Sequence, residues 1–186
     1  MNEIYVLALG GNLPSDEGAP DKTLRGAISA LKHKGIEVCQ VSRFYETPCF
    51  PAGAGPDYVN AAITVRSALS AKDLLKELHD VEAQFGRARD QRWGMRTLDI
   101  DLIAAGNLVL PDAEVHAHWR NLALEEQVRA TPDQLILPHP RLADRAYVLV
   151  PLNDIIPEWV HPETGRSVAE MLADLPESDR KAVIAL

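Results

Sequence analysis

"TLDIDLIAAGN", residues 97–107, decides the fold. Leu98, Ile100 and Leu102 alternate with Asp99 and Asp101, the period-two pattern of a strand with one buried face. Ile103, Ala104 and Ala105 then run on apolar to a Gly106-Asn107 turn. A strand this hydrophobic belongs in a core. Yet it carries two carboxylates on one face, and "RARDQRWGMR", residues 87–96, leads straight into it.

Working outward, "EIYVLALGGN" reads as a first strand ending in a Gly-Gly-Asn turn. "DKTLRGAISALKHKG" has Leu24, Ala27, Ile28 and Leu31 at helical spacing, with Gly35 past the end. "IEVCQVSRFYET" and "DYVNAAITVRS" read as two further strands, joined by the Pro/Gly loop "PCFPAGAGP". "SAKDLLKELHDVEAQFG" is the clearest helix: Ser70 with Asp73 resembles a capping box, and Leu74, Leu75, Leu78, Val81 and Phe85 form its apolar stripe. After the acidic strand, a hairpin or loop fits Leu108–Val115 and a short helix Leu122–Arg129. A short apolar element with a Pro-rich loop then precedes a small helix, "SVAEMLADL". Strand, helix, strand, strand, helix, strand is the split βαβ order of a ferredoxin-like fold. The expected class is α+β: an antiparallel sheet with two helices on one face and the C-terminal segment on the other.

The 186 residues suggest one domain, 1–186, with an extended segment at about 108–135. No stretch approaches the roughly 20 apolar residues of a membrane span. Cys39 and Cys49 form neither a metal-binding spacing nor a disulfide framework, so a reducing cytoplasm is expected. A net charge of -8 argues against general nucleic-acid binding, which depends on neutralising phosphates. Any phosphate site must then be a local basic patch, and Arg87, Arg89, Arg92 and Arg96 against Asp90 form the densest one.

Asp99 and Asp101 project together, with Cα atoms about 6.6 Å apart. Carboxylates that close repel unless a cation sits between them, and a pair of Mg²⁺ ions would bridge them to phosphate oxygens. The plain alternative is the wet side of an amphipathic strand. Arginine suits bidentate phosphate recognition, which favours the metal–polyphosphate reading over a solvated ion-pair cluster. Trp93 with Gly94 fits a lid closing over a ligand or a core anchor. Glu82 lies near the apolar stripe of its helix, where an edge position reaching water is the common case. Tyr58 and Asn60 share a strand face, suited to a flat heterocycle or to an ordinary half-buried strand. His139 sits in the rigid "LPHPR" loop with Arg141 and, further on, Arg145. His116 and His118 lack a third ligand and are expected at the surface. No Walker loop, dinucleotide fingerprint or nucleophile elbow is present in the sequence.

In order, "LGGNL", "YETPCF", "PDYVNAA", "ELHDVEAQFGRAR", "RWGMRTLDIDLIAAGN" and "LPHPRLADRAYVLVPL" resemble the 6-hydroxymethyl-7,8-dihydropterin pyrophosphokinase family over roughly residues 4–175. The resemblance implies a ferredoxin-like α+β fold. It also implies transfer of pyrophosphate from ATP to the hydroxymethyl oxygen of the dihydropterin, with release of AMP, in folate synthesis. It implies ATP as co-substrate and two Mg²⁺ per active site on Asp99 and Asp101. Arg87 and Arg96 would handle the phosphates, making them catalytic with the two aspartates, and Arg89 and Trp93 would ride a mobile lid. Glu82, His139 and Arg145 match other nucleotide-site positions. Tyr58 and Tyr147 match the rings that sandwich the pterin, Thr47 and Asn60 its hydrogen-bonding partners, with Phe50 and Trp93 beside it. Departures are Gly11 for a usual serine, Met95 for a usual proline, Tyr147 for phenylalanine, and Cys49-Phe50 for a pair such as Pro-Leu. The partners implied are small molecules alone, with no nucleic acid, no membrane and a monomeric state. Two competing classes are a non-catalytic ligand-sensing module on the same fold and a two-metal nuclease. The first does not require the aspartates and arginines together, and the net charge counts against the second.

Overall fold

The computed structural model describes residues 2–49, 55–86, 95–123, 126 and 129–186. In chain order, β1 (Glu3–Gly11), α1 (Pro20–His33), β2 (Glu37–Val41), β3 (Tyr45–Thr47), β4 (Tyr58–Ser67), α2 (Ala71–Gln84) and β5 (Asp99–Ala105) form the first part. α3 (Ala113–Asn121), a 3₁₀ turn at Leu142–Asp144, α4 (Ala146–Ile155), α5 (Val168–Asp174), α6 (Glu177–Lys181) and β6 (Ile184–Ala185) follow. The sheet runs β5-β1-β4-β3-β6, with β2 also on β4, and every ladder is antiparallel. The class is therefore mixed, helices on an antiparallel sheet.

Local chemistry sets the element ends. Pro20 opens α1 with its φ already helical, and Gly35 at φ +76° closes it. The Ser70 hydroxyl accepts from the Asp73 amide and caps α2. It also donates to the Asp73 carboxylate, so the motif is a cap rather than the reciprocal box. The full box occurs at α5 between Ser167 and Glu170.

Two cores lie on opposite faces of the sheet. Leu7, Leu9, Ile63, Ile100 and Leu102 pack against Leu24 and Leu31 of α1 and Leu74 and Leu78 of α2. Val6, Ala62, Ile103 and Ala104 pack against Val148, Leu149 and Leu152 of α4 and against Val168 and Met171 of α5. A bulge explains how β5 serves both. Leu7 pairs with Leu102 but Val6 with Ala104, so Ile103 is an extra residue. Asp99, Asp101 and Ile103 share the second face, and Ala104 joins them only because the bulge resets the alternation. Among the described residues β5 pairs only with β1, leaving its other edge open to side chains.

Several expectations need correcting. "IEVCQVSRFYET" is two strands, not one. β2 has an irregular register between Val38 and Gln40, and Val41 is 43% exposed. The chain then breaks at Ser42, whose hydroxyl accepts from the Ala62 amide at 2.9 Å, before β3 begins. Asp154 of α4 accepts from the Arg43 guanidinium, the Arg43 amide and the Tyr45 hydroxyl, tying α4 to this break. Burial, and then Asp154, push the Tyr45 phenol up to about 12. The hairpin or loop expected over Leu108–Val115 gives way at Ala113 to α3, capped by Asp112. Of the helix expected over Leu122–Arg129, residues 124, 125, 127 and 128 lie outside the described set. The short apolar element after Arg145 is a ten-residue helix, and Pro151, in its interior, belongs to it rather than to the loop. No helix among the described residues is long and apolar enough to cross a membrane.

Leu149 is fully buried where α4 meets the sheet. Leu149→Ala is expected to lower stability by about 2–5 kcal/mol in urea unfolding, with activity per folded molecule retained.

Candidate active site

The strand register places Asp99, Gly10, Asn60 and Tyr45 in one row across β5, β1, β4 and β3. Asp101, Ala8 and Ala62 form the next row. All lie on the second face. α4 covers Ala62 and the residues beyond it, leaving the Asp99 end open. Between the aspartates and β4 stand only the small residues Gly10 and Ala8, so the sheet surface is a trough there. A Cβ at Gly10 would lie 2.9 Å from the Asn60 side-chain oxygen. Asn60 is buried and donates to the Thr47 hydroxyl at 2.7 Å. Tyr58 pairs with Thr47 one step further along.

The carboxylates are not left to repel each other. Arg96 Nη1 lies 2.5 Å from Asp99 Oδ2, and Arg145 Nη1 lies 3.4 Å from Asp101 Oδ2. Arg96 is positioned through its backbone. Its amide donates to Asn12 Oδ1 at 2.9 Å, and its carbonyl accepts from the Asn12 and Leu13 amides. Asn12 is 2% exposed and also donates to the Pro56 carbonyl. Gly11 permits this approach: a Cβ there would meet the Thr97 carbonyl oxygen at 2.3 Å. Burial opposes the Arg96 charge, but Asp99 more than offsets it, and the guanidinium is held more firmly protonated than usual. The Tyr58 phenol is raised by burial, with Arg96 acting in the opposite sense.

A cavity of about 880 Å³ runs along the open edge of β5. Glu82, Asp99, Asp101, His139, Arg145 and Tyr147 all line it. Glu82 is not at a wet edge as expected. It is 1% exposed, and its Oε1 accepts from the Ile100 amide at 2.7 Å. That amide faces the edge that β1 does not occupy, so a buried carboxylate there satisfies a strand donor. His139 holds the other side of the edge: its amide donates to the Ile103 carbonyl at 2.7 Å. Its Nδ1 accepts from the Arg141 amide at 3.1 Å, which assigns the ring proton to Nε2. Burial, reinforced by Arg145, drops its pKa to about 3, so the ring is neutral.

The structure thus brings six of the expected residues to one cavity, with Arg96 joined to them through Asp99. Thr47, Tyr58 and Asn60 lie on the adjoining strands instead of in the cavity wall. Phe50, Arg87, Arg89 and Trp93 lie outside the described residues. His116 is corrected from surface to core: it is fully buried, while His118 is exposed. Asn12 went unremarked beyond its turn. Its signal was a polar residue placed directly after two glycines at the end of an apolar strand. Trp119, which lines the cavity, was hidden in a segment with no readable periodicity.

The sequence model of the 7,8-dihydro-6-hydroxymethylpterin-pyrophosphokinase (HPPK) family matches residues 6–157. A 2-amino-4-hydroxy-6-hydroxymethyldihydropteridine pyrophosphokinase of Synechocystis sp. is 38% identical over 168 residues, covering 90% of this chain and 73% of that one. The enzyme of the same name from Methylorubrum extorquens is 34% identical over 179 residues, covering 96% of each. The folic acid synthesis protein fol1 of Pneumocystis carinii is 31% identical over 183 residues, which span only 22% of its length. Wild-type Plasmodium falciparum HPPK-DHPS superposes with a TM-score of 0.63 at 14% identity, a likeness of fold. It covers 93% of this chain, which spans 44% of that one. The class is thus an enzyme, a diphosphotransferase. The chain belongs to the HPPK family.

Two outcomes follow from the buried groups. Glu82→Ala leaves the Ile100 amide without its acceptor and should cost about 1–3 kcal/mol in urea unfolding, with Glu82→Gln recovering most of it. His116, His139 and His161 are all lowered from 6.5, chiefly by burial, His161 to about 4. Below 6.5 the unfolded chain binds protons that the folded chain refuses, so stability is full above 6.5 and falls as pH drops from there toward the lowered values. Unfolding at pH 5.0 should show a loss of about 2 kcal/mol for each of His139 and His161, or about 4 kcal/mol together, against pH 7.5. Equal stability at both would contradict the buried neutral histidines.

Proposed function

We propose that this chain transfers pyrophosphate from ATP to the hydroxymethyl group of 6-hydroxymethyl-7,8-dihydropterin, releasing AMP, in folate synthesis. The observation that carries this is the Asp99 and Asp101 pair on the open half of the sheet face, each held by an arginine, beside a cavity of about 880 Å³. The family relatives named for this activity support it.

Asp99 and Asp101 are the residues that would hold Mg²⁺, two ions per site. Their chemistry fits: both offer hard oxygen donors, and among the described residues no group of three or more His, Cys, Asp or Glu surrounds them. Two protein carboxylates with substrate phosphates and water completing the shell is the arrangement Mg²⁺ favours. When bound, the metal neutralises charge on the phosphoryl oxygens.

The protein's own groups position and polarise. Arg96 and Arg145 serve as counterions to the aspartates before substrate arrives and turn to the phosphoryl oxygens afterwards. His139, neutral and protonated at Nε2, offers a donor that adds no repulsion toward Arg145. Thr47 and Asn60 present a buried polar pair to the pterin, with Tyr58 and Tyr147 as its stacking rings. Phe50, Arg87, Arg89 and Trp93 complete the proposed set. The hydroxymethyl oxygen bonds to the β-phosphorus as the bond from that phosphorus to the α–β bridging oxygen breaks; the hydroxyl proton passes to solvent and AMP departs. Catalysis is alignment and charge stabilisation.

The strand order β5-β1-β4-β2 supports the ferredoxin-like, split βαβ reading. We read residues 1–186 as a single pyrophosphokinase domain, monomeric and cytoplasmic, with 108–135 as its extension.

The test is AMP formation from ATP, required to depend on both Mg²⁺ and the hydroxymethylpterin. Asp99→Ala and Asp101→Ala should each lower kcat by about 10²-fold or more while the protein still folds. A near-normal rate at saturating Mg²⁺ would remove the metal assignment. Arg96→Ala should lower kcat more than it weakens pterin binding.

A further inference from the structure

The segment 108–135 does more than decorate the surface. Leu110 and Leu137 exchange backbone hydrogen bonds at 2.8 and 3.1 Å, fastening its start beside its return. Asp112 caps α3 by accepting from the Val115 amide at 2.9 Å. One turn on, the fully buried His116 places Nε2 2.9 Å from the Pro138 carbonyl, directly before His139. The His161 ring lies 5.5 Å from it, and the Trp159 indole beyond donates to the Gly106 carbonyl at 3.3 Å. Residues three apart share a helix face. The side of α3 that anchors through His116 therefore also carries Trp119, which lines the cavity.

The cavity wall has two chemically distinct parts. β5 and the start of α4 supply Asp99, Asp101 and Arg145, while Leu75, Trp119 and Leu135 supply apolar surface, with Lys72, His79 and Gln134 as polar groups among them. A nucleoside triphosphate is divided the same way, into a polyanion and a flat aromatic base. We infer that Trp119 positions the purine base of the nucleotide, its indole serving as a stacking wall that the segment 108–135 adds to the site. The inference rests on the nucleotide-dependent reading of this site. An indole face is suited to any base, but a purine covers more of it than a pyrimidine does. Trp119 is thus a positioning and specificity residue remote from the reacting phosphorus. Losing it removes binding common to ground and transition states, which raises KM and spares kcat.

The experiment titrates the wild type, Trp119→Phe and Trp119→Ala with α,β-methylene ATP and with inorganic tripolyphosphate, each with Mg²⁺, by calorimetry. Trp119→Ala is expected to weaken the ATP analogue about tenfold, and Trp119→Phe less, with tripolyphosphate changed by under about twofold. In turnover, KM for ATP rises while kcat and KM for the pterin hold, and the preference for ATP over CTP shrinks. Circular dichroism checks that each variant is folded. A folded Trp119→Ala that binds the analogue like the wild type, or that loses both probes equally, overturns the inference. If the wild type forms no AMP yet shows the Trp119-dependent analogue binding, the transfer reaction falls and the stacking wall stands. If the wild type binds neither probe, both fall.

Discussion

The exchange between Asn12 and the backbone of Arg96 is the constraint on which the site depends. A side-chain oxygen accepts the Arg96 amide, and the Asn12 amide returns a bond to the Arg96 carbonyl. Two donors and two acceptors are satisfied at one buried point, and each would be costly to leave alone there. The contact needs a backbone approach that only Gly11 allows. It joins the turn after β1 to the residues that begin β5, and so fixes where the acidic strand starts. The Arg96 guanidinium is then delivered to Asp99 from a fixed base.

With that start fixed, the sheet divides its labour between its faces. The first face carries an apolar core packed against α1 and α2. The second is apolar only where α4 and α5 cover it. The uncovered part is floored by Gly10 and Ala8, so the surface is lowest between the aspartates and the buried Asn60 and Thr47 pair. Charges concentrated there are compensated in pairs, which keeps a half-buried acidic patch from destabilising the strand beneath it. The open edge of β5 is completed from outside the sheet, by Glu82 on one side and His139 on the other. Groups that line the cavity therefore also finish the hydrogen bonding of an edge strand.

Much of this was legible in the sequence. The alternation at Leu98–Leu102, the helical stripes of α1 and α2, and the glycine stops are local signals, and the elements follow them. The aspartates and their arginine neighbours stood out because charge of both signs beside an apolar strand is uncommon. What escaped reading depends on contacts between distant residues. Glu82 looked like an edge carboxylate because its partner, the Ile100 amide, is eighteen positions away. His116 looked exposed because Pro138 and His161 bury it from far along the chain. α4 was obscured by Pro151, whose helix-breaking tendency is overridden by packing on the sheet. β2 and β3 merged into one strand because a bulge and a serine break leave no compositional mark.

The bulge at Ile103 bears on how sequences of this kind are to be compared. Because a one-residue slip swaps inward and outward positions, the segment from Asp99 to Leu102 is constrained in length more tightly than in composition, while the surplus residue Ile103 takes up the change of alternation beyond it. Conservative exchanges among its aliphatic side chains are absorbed by neighbouring packing, and loss of Ile103 itself would only erase the bulge, whereas a deletion between Asp99 and Leu102 would turn the acids or the aliphatics the wrong way. A gap drawn between Asp99 and Leu102 in an alignment is thus a mark of mispairing, whereas a one-residue difference at Ile103 marks only the presence or absence of the bulge.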